Sequence, residues 1–187
     1  MSHEPHFSAL LFFVAFLVRP VFFVSNQQYR NPDGIDAAKQ VKIDDSLLVD
    51  YLTRRGLKDS FSKTPSGLYY RISKRVPDSL SVAPDSMILN TDTALITNGV
   101  KVFFRYEGRL LNDTLFDENI TKSLALNFYP GFKTLIAGFE EGILKFRNRE
   151  EGYLLIPSRL AYGNNAAGKI PRNSCVRFFI RITNVER

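Results

Sequence analysis

The chain has 187 residues, of which 44% are hydrophobic and 24% charged, and its 25 Lys and Arg against 19 Asp and Glu give a net charge of +6. This apolar content excludes a disordered or collagen-like chain and predicts one compact domain with an appendage. The single cysteine, Cys175, excludes an internal disulfide framework and a multi-cysteine zinc site. The basic residues are spread along the chain, so we interpret them as solvated surface charge and expect no nucleic-acid partner.

Residues 1–25 are interpreted as an addressing segment. Residues 7–18 (FSALLFFVAFLV) are almost wholly apolar, and Arg19 and Pro20 end the run. Its length suits a signal peptide and falls short of the roughly 20 residues that a membrane-spanning helix needs. We expect a signal peptide or an N-terminal membrane anchor, and hence an exported protein that is periplasmic or membrane-anchored. A buried helix and a mis-assigned start are the alternatives.

Residues 26–63 are predicted to form a linker and an amphipathic helix. The linker part is polar and contains Pro32 and Gly34, which is typical of a flexible tether. Apolar residues then recur at helical spacing over residues 36–55, and Gly56 is a stop signal. The helix either packs on the following domain or serves as an arm for dimerisation or partner binding.

Residues 64–187 are predicted to form one domain of strands and a single short helix. The predicted elements are a strand at 68–76, a strand at 100–107, a hairpin over 110–116, a helix at 135–146, and strands at 153–156 and 176–182. Strands followed by one late helix and further strands indicate an α+β fold, with an antiparallel sheet wrapped around a helix.

The usual catalytic constellations do not occur in this sequence. Both histidines, His3 and His6, fall in the addressing segment, so we expect no metal and no cofactor. Cys175 has no histidine in the domain to activate it, and we interpret it as a buried structural residue. The adjacent acids at 140–141 and 150–151 are interpreted as solvated charges, because neighbours in sequence do not face each other across a cleft.

The aromatic content is the unusual feature: 16 Phe and 8 Tyr with no Trp. Core packing explains most of them, but Phe116, Phe139 and Tyr162 occur beside turn residues. Together they predict the lining of an apolar pocket for an uncharged apolar ligand.

Short motifs also occur in a fixed order along the domain. They are residues 102–110 (VFFRYEGRL), 114–117 (TLFD), 135–142 (LIAGFEEG), 156–163 (IPSRLAYG) and 170–174 (IPRNS). This series resembles the FKBP-type peptidyl-prolyl cis/trans isomerases, in particular the exported bacterial single-domain type. The resemblance implies an antiparallel half-barrel around one short helix, with an N-terminal amphipathic helix.

The resemblance also implies the site residues. The catalytic set would be Tyr106, Phe116, Asp117, Ile136 and Tyr162. The substrate-binding set would be Leu126, Leu135, Phe139, Ile170 and Phe178, with Phe139 as the pocket floor. The Ile136 backbone N–H and the Tyr162 hydroxyl would donate hydrogen bonds to substrate carbonyls. Tyr106 and Phe178 would also suit plain core positions of such a barrel.

The chain departs from the family pattern at four positions. Phe139 replaces the usual Trp of the pocket floor, and Leu126 stands where an aromatic residue is common. Arg149 occupies a turn position usually held by Gly, and Arg172 replaces a Pro. We expect the first two departures to change the shape of the pocket and the last two to affect the surface.

The function implied is isomerisation of Xaa-Pro bonds in proline-containing polypeptides, which assists protein folding. The alternative is a non-catalytic FKBP-like module that acts as a chaperone or a docking unit. Macrolide inhibitors are expected as further ligands. Contact with a membrane is expected only through the N-terminal segment, and self-association through the helix at 36–55.

Overall fold

The computed structural model describes residues 36–74 and 95–187, and the fold is given for these residues. The addressing segment, most of the linker before the helix, and both histidines lie outside the described residues. Within the described ranges, no helix combines the length and apolar character needed to cross a membrane.

The described residues form an antiparallel sheet and two α-helices, so the predicted α+β class is confirmed. The helices are α1, Ala37–Arg54, and α2, Ala137–Ile143. The strands are β1, Ser62–Lys63; β2, Tyr69–Lys74; β3, Lys101–Leu110; β4, Leu115–Glu118; β5, Leu126–Phe128; β6, Glu151–Ile156; and β7, Val176–Glu186. Short 3-10 turns lie at Lys58–Ser60 and Ser158–Leu160.

The strands follow the order β1-β2-β6-β7-β3-β4, and β5 pairs with β3. The longest ladder joins β3 to β7, from Lys101 opposite Glu186 to Leu110 opposite Val176. Val102, Phe104 and Tyr106 are buried on one face of β3, as their alternation predicted. This face of the sheet carries the main core.

Helix α2 packs against the buried face of β6. The Phe139 and Ile143 side chains have no exposed surface. Two glycines permit the close approach: a Cβ at Gly138 would lie 2.3 Å from Ile156 Cγ2, and one at Gly142 would lie 2.3 Å from a methyl carbon of Leu154. The helix is shorter than the pattern at 135–146 predicted, because the apolar residues on either side of it continue into the core as loops.

Helix α1 packs on the opposite face of β6, as the first of its two interpretations predicted. Its apolar stripe of Leu48, Tyr51 and Leu52 forms a second core cluster that includes Leu155 and Cys175. Cys175 is buried, in agreement with the prediction, and burial raises the pKa of its thiol. The apolar face of α1 is thus covered by the sheet of the same chain.

The interpretation of the paired acids as solvated charges is wrong for Glu140 and Glu150, whose exposed fractions are 9% and 3%. The Glu140 carboxylate accepts the backbone N–H groups of Gly131, Lys133 and Leu135 at 3.0 to 3.2 Å. Loop N–H groups need acceptors when they are buried, and the sequence pattern gives no sign of which carboxylate supplies them.

Candidate active site

Four aromatic rings from four elements meet on the buried face of the sheet. Phe139 of α2 lies edge-on to Tyr106 of β3, with 6.4 Å between ring centroids, and edge-on to Phe178 of β7 at 5.4 Å. Phe116 of β4 contacts the Phe178 ring at 5.6 Å. Tyr106, Phe139 and Phe178 have no exposed surface, and Phe116 is 8% exposed. These edge-to-face contacts are a favoured arrangement of aromatic rings.

Gly108 makes room for this cluster. It lies opposite Phe178 in the β3–β7 ladder. A Cβ at Gly108 would lie 2.6 Å from Phe116 Cε2 and 2.9 Å from Phe178 Cε1, which is closer than side-chain carbons approach. The missing side chain therefore lets both rings lie against β3.

A carboxyl group borders the aromatic cluster. The Tyr106 hydroxyl donates a hydrogen bond to Asp117 Oδ2 at 2.5 Å, and the Glu118 backbone N–H donates to Asp117 Oδ1 at 2.9 Å. Burial raises the pKa of Asp117, and these two hydrogen bonds oppose the rise. Burial and the neighbouring carboxylate raise the pKa of Tyr106, so its hydroxyl keeps its proton.

Two further donor positions come from loops. Tyr162 follows the 3-10 turn at Ser158–Leu160 and packs against the core cluster. Burial, followed by the charge of Asp117, raises the pKa of the Tyr162 hydroxyl. Ile136 is the N-cap of α2 and is buried, and its backbone N–H reaches no acceptor within residues 36–74 and 95–187.

The remaining predicted residues belong to or pack on the main core, which includes the four rings. Leu135 and Ile170 are buried members of it, and Leu126 of β5 packs against it while half-buried. Leu126 lies opposite Phe104 in the β3–β5 ladder. Every predicted site residue therefore belongs to the main core of the domain, packs on it, or, like Asp117, hydrogen-bonds to a member.

Comparison with known proteins then identifies the family. Residues 93–183 match the sequence profile of the family described as FKBP-type peptidyl-prolyl cis-trans isomerase. FK506-binding protein 2 of Dictyostelium discoideum is 30% identical over 114 residues, which cover 60% of this chain and 82% of that protein. The chain belongs to the FKBP-type peptidyl-prolyl cis-trans isomerase family.

Two further FKBP-type proteins are similar over most of the chain. FkpA of Buchnera aphidicola is 27% identical over 136 residues, which cover 73% of this chain and 48% of that protein. The crystal structure of FkpA from Escherichia coli matches with a TM-score of 0.59 at 22% identity, and the match covers 80% of this chain and 63% of that one. This chain shares that fold, and it spans about half the length of the Buchnera relative. The resemblance to the family that the motifs predicted is confirmed.

The candidate site also contains residues that the sequence did not assign to it. Phe104 and Phe128 form a second layer of rings, with centroids 5.2 and 6.2 Å from that of Phe139. Asn119 is 2% exposed; its Oδ1 accepts the Tyr106 N–H at 2.7 Å, and its own N–H donates to the Tyr106 carbonyl at 3.0 Å. Alternation along β3 indicated that Phe104 is buried, whereas nothing in the sequence pointed to Asn119.

The surface departures from the FKBP pattern lie away from the rings. Arg149 has a φ of 63°, in the left-handed region that glycine adopts without strain. Arg172 is exposed. Of the two pocket departures, Phe139 still contacts the rings of both Tyr106 and Phe178, and Leu126 covers the edge of the cluster.

Proposed function

We propose that the protein is a peptidyl-prolyl cis/trans isomerase that rotates Xaa-Pro bonds of polypeptide substrates. The observation that carries the proposal is the buried ring cluster of Tyr106, Phe139 and Phe178, with Asp117 and Tyr162 at its border. Membership of the isomerase family supports it. Because the chain spans only part of its FkpA relatives, the activity of the whole protein rests on this proposal.

The chemistry of the reaction suits a site of this kind. Rotation about an Xaa-Pro bond crosses a barrier of about 20 kcal/mol, and no covalent bond is broken. The twisted transition state has lost amide resonance, so its carbonyl group is less polar than in the planar ground states. A dry apolar pocket with a few fixed donors favours that state over the planar substrate.

In this proposal the prolyl ring lies on Phe139, between the walls formed by Tyr106, Phe116 and Phe178. The Tyr106 hydroxyl holds the Asp117 carboxyl group in place at the border of the pocket. Leu126, Leu135 and Ile170, which belong to or pack on the same core, would enclose the sides of the cleft.

Two donors would bind the substrate backbone. The buried N–H of Ile136 at the start of α2 would donate to one substrate carbonyl. The Tyr162 hydroxyl is protonated at neutral pH, and burial raises its pKa further, so it would donate to another. The donors would orient the peptide so that only the rotating bond lies in the apolar pocket.

A protease-coupled assay on an Xaa-Pro peptide tests the proposal. Phe178 and Phe179 are neighbours on β7 whose side chains point to opposite faces, so they form a matched pair. We expect Phe178→Ala and Phe116→Ala to lower kcat/KM strongly and Tyr162→Phe to lower it about tenfold, the value of one good hydrogen bond. We expect Phe179→Ala to retain activity. No acceleration by the purified protein would refute the proposal and leave a binding module.

Export is the location we propose for this activity. The apolar run at residues 7–18 supports it, as does the similarity to FkpA proteins. Amino-terminal sequencing of protein from the native envelope fraction tests this. An intact Met1 in cytosolic material would contradict it.

Three finer statements are also proposals. Several relatives are named FK506-binding proteins, so we propose that FK506 inhibits the isomerase by occupying the ring cluster. Measuring isomerase activity at increasing FK506 concentrations tests this. We propose residues 64–187 as the isomerase domain, after the linker and helix at 26–63. Self-association through α1 would use its exposed Val41 and Leu47, and sedimentation of the Leu47→Glu variant tests it.

A further inference from the structure

Asp44 of α1 is 1% exposed; its carboxylate binds Ser158 of the sheet domain, and its backbone carbonyl accepts the Cys175 thiol at 3.8 Å. Its Oδ2 accepts both the backbone N–H of Ser158 at 2.9 Å and the Ser158 hydroxyl at 2.7 Å. Its Oδ1 accepts the side-chain amide of Gln40 at 2.8 Å, within the same helix. A buried carboxylate that makes three hydrogen bonds holds its partners in fixed positions.

Ser158 needs an acceptor from elsewhere in the chain. It begins the 3-10 turn at Ser158–Leu160, and the preceding Pro157 offers no side-chain cap. The first N–H groups of a helical turn have no partner within the turn, and a side-chain oxygen usually supplies one. Asp44 does this from 114 residues away.

The carbonyl of Ser158 holds the residues on both sides of Tyr162. It accepts the N–H of Ala161 at 3.0 Å and the N–H of Gly163 at 2.8 Å. The Gly163 carbonyl in turn accepts the N–H of Asn173 at 2.8 Å. Asp44 therefore fixes Ser158 by accepting its backbone N–H and its hydroxyl. The carbonyl of Ser158 in turn fixes the backbone on both sides of Tyr162.

We propose that Asp44 is a positioning residue of the isomerase site: it holds the Tyr162 hydroxyl in place through Ser158. This inference rests on the isomerase function proposed above. It makes α1 part of the working site, although α1 precedes the residues that match the family profile.

Helix α1 has other attachments, which allow the role of Asp44 to be separated from anchoring of the helix. Asp45 accepts the Tyr69 hydroxyl at 2.8 Å and pairs with Lys63. Arg55 pairs with Asp113 at the turn between β3 and β4. The apolar cluster around Leu48 remains as well. Loss of Asp44 alone therefore leaves the helix in place but removes the support of Ser158.

The first test compares Asp44→Ala with Leu48→Ala. Leu48 lies one turn further along α1 and is fully buried. Its truncation therefore weakens the packing of the helix but leaves the Asp44 carboxylate in the protein. At a temperature where both variants are folded, we expect Asp44→Ala to lower kcat/KM about tenfold. We expect Leu48→Ala to stay within about twofold of the natural protein, although it is destabilised. Equal losses in the two variants would overturn the proposal.

Asp44→Asn is the conservative variant. Its amide oxygen can still accept from Ser158, and the Gln40 amide can rotate to match the new NH2 group. We expect it to restore activity to within about threefold of the natural protein. Activity as low as that of Asp44→Ala would contradict positioning by hydrogen bonds.

A double-mutant cycle tests whether the effect passes through Tyr162. In the Tyr162→Phe background the hydroxyl is gone, so Asp44→Ala should lower kcat/KM by less than about twofold further. A second full tenfold loss would show that Asp44 acts elsewhere.

Amide hydrogen exchange gives a readout that does not depend on activity. Asp44→Ala should raise the exchange rate of the Gly163 and Ala161 N–H groups at least about tenfold, while that of Ile180 in β7 stays the same.

The exchange data also separate this proposal from the proposed function. If the natural protein shows no isomerase activity, the proposed function fails, and the exchange data still decide the link from Asp44 to the loop. If Asp44→Ala does not fold, Ser158→Ala takes its place, since it removes one of the two hydrogen bonds; unchanged exchange at Gly163 in that variant refutes the link.

Discussion

The close approach of the Phe116 and Phe178 rings to Gly108 predicts a specific cost for Gly108→Ala. The new Cβ would lie 2.6 Å and 2.7 Å from Phe116 Cε2 and Cζ, and 2.9 Å from Phe178 Cε1. Moving buried rings to relieve such contacts costs about 1 to 3 kcal/mol. Alanine regains about 0.5 to 1 kcal/mol relative to glycine in a strand. The middles of these two ranges leave a fall of about 1 kcal/mol in the free energy of unfolding.

Urea unfolding measures this change, and a loss of that size lowers the midpoint by about 0.5 to 1 M. We also expect kcat/KM to fall, because both displaced rings are walls of the proposed pocket. The control is the same substitution in a Phe116→Leu background, which lacks the ring atoms closest to the new Cβ. There the cost should be at least about 0.5 kcal/mol smaller. If Gly108→Ala unfolds at the natural midpoint with full activity, the rings do not depend on Gly108 as we reason.

Three further predictions concern single residues. Arg149→Gly should raise the free energy of unfolding by about 0.5 to 1 kcal/mol in urea, because φ is 63° there, and Arg149→Ala should give no such gain. Burial raises the pKa of Asp117 in the folded state, so the folded protein binds this proton more tightly than the unfolded chain does, and stability falls as pH rises through the raised pKa. We measure the free energy of unfolding of Asp117→Asn and of the natural protein in urea at a series of pH values. The difference, variant minus natural protein, should grow as the pH rises from about 4 and then level off. A difference that stays constant with pH would contradict this. Glu140→Ala leaves three loop N–H groups without their acceptor and should cost about 3 kcal/mol in urea, with a smaller loss for Glu140→Gln.

Patterns of alternation and spacing were sufficient to predict most of the fold. The period of two over β3 and β7 is strong because one face of each strand is fully buried. Helix α1 was predicted to within a residue at each end, since Asp36 caps it and Gly56, with a φ of 65°, ends it. Helix α2 was predicted too long because buried loop residues mimic the helical spacing.

The site was predictable to the extent that its residues lie in motifs. The aromatic residues at turns indicated an apolar pocket, and the resemblance to a family named its members. The supporting polar residues were not predictable: Asn119, Glu140 and Asp44 all hold backbone N–H groups from distant or looped segments. Such contacts depend on which N–H groups the completed fold leaves without a partner, and a linear pattern does not contain that information.

The place of β7 in the sheet has a consequence for how this protein is made. Strand β7 lies between β6 and β3, so those two strands share no neighbour until β7 is added. It also supplies Phe178, which contacts three other rings of the cluster. During synthesis the sheet therefore stays in two parts, and the ring cluster lacks Phe178, until residues 176–186 have left the ribosome. The protein that we propose to catalyse a slow step in the folding of other chains can therefore complete its own sheet only once β7 has been added.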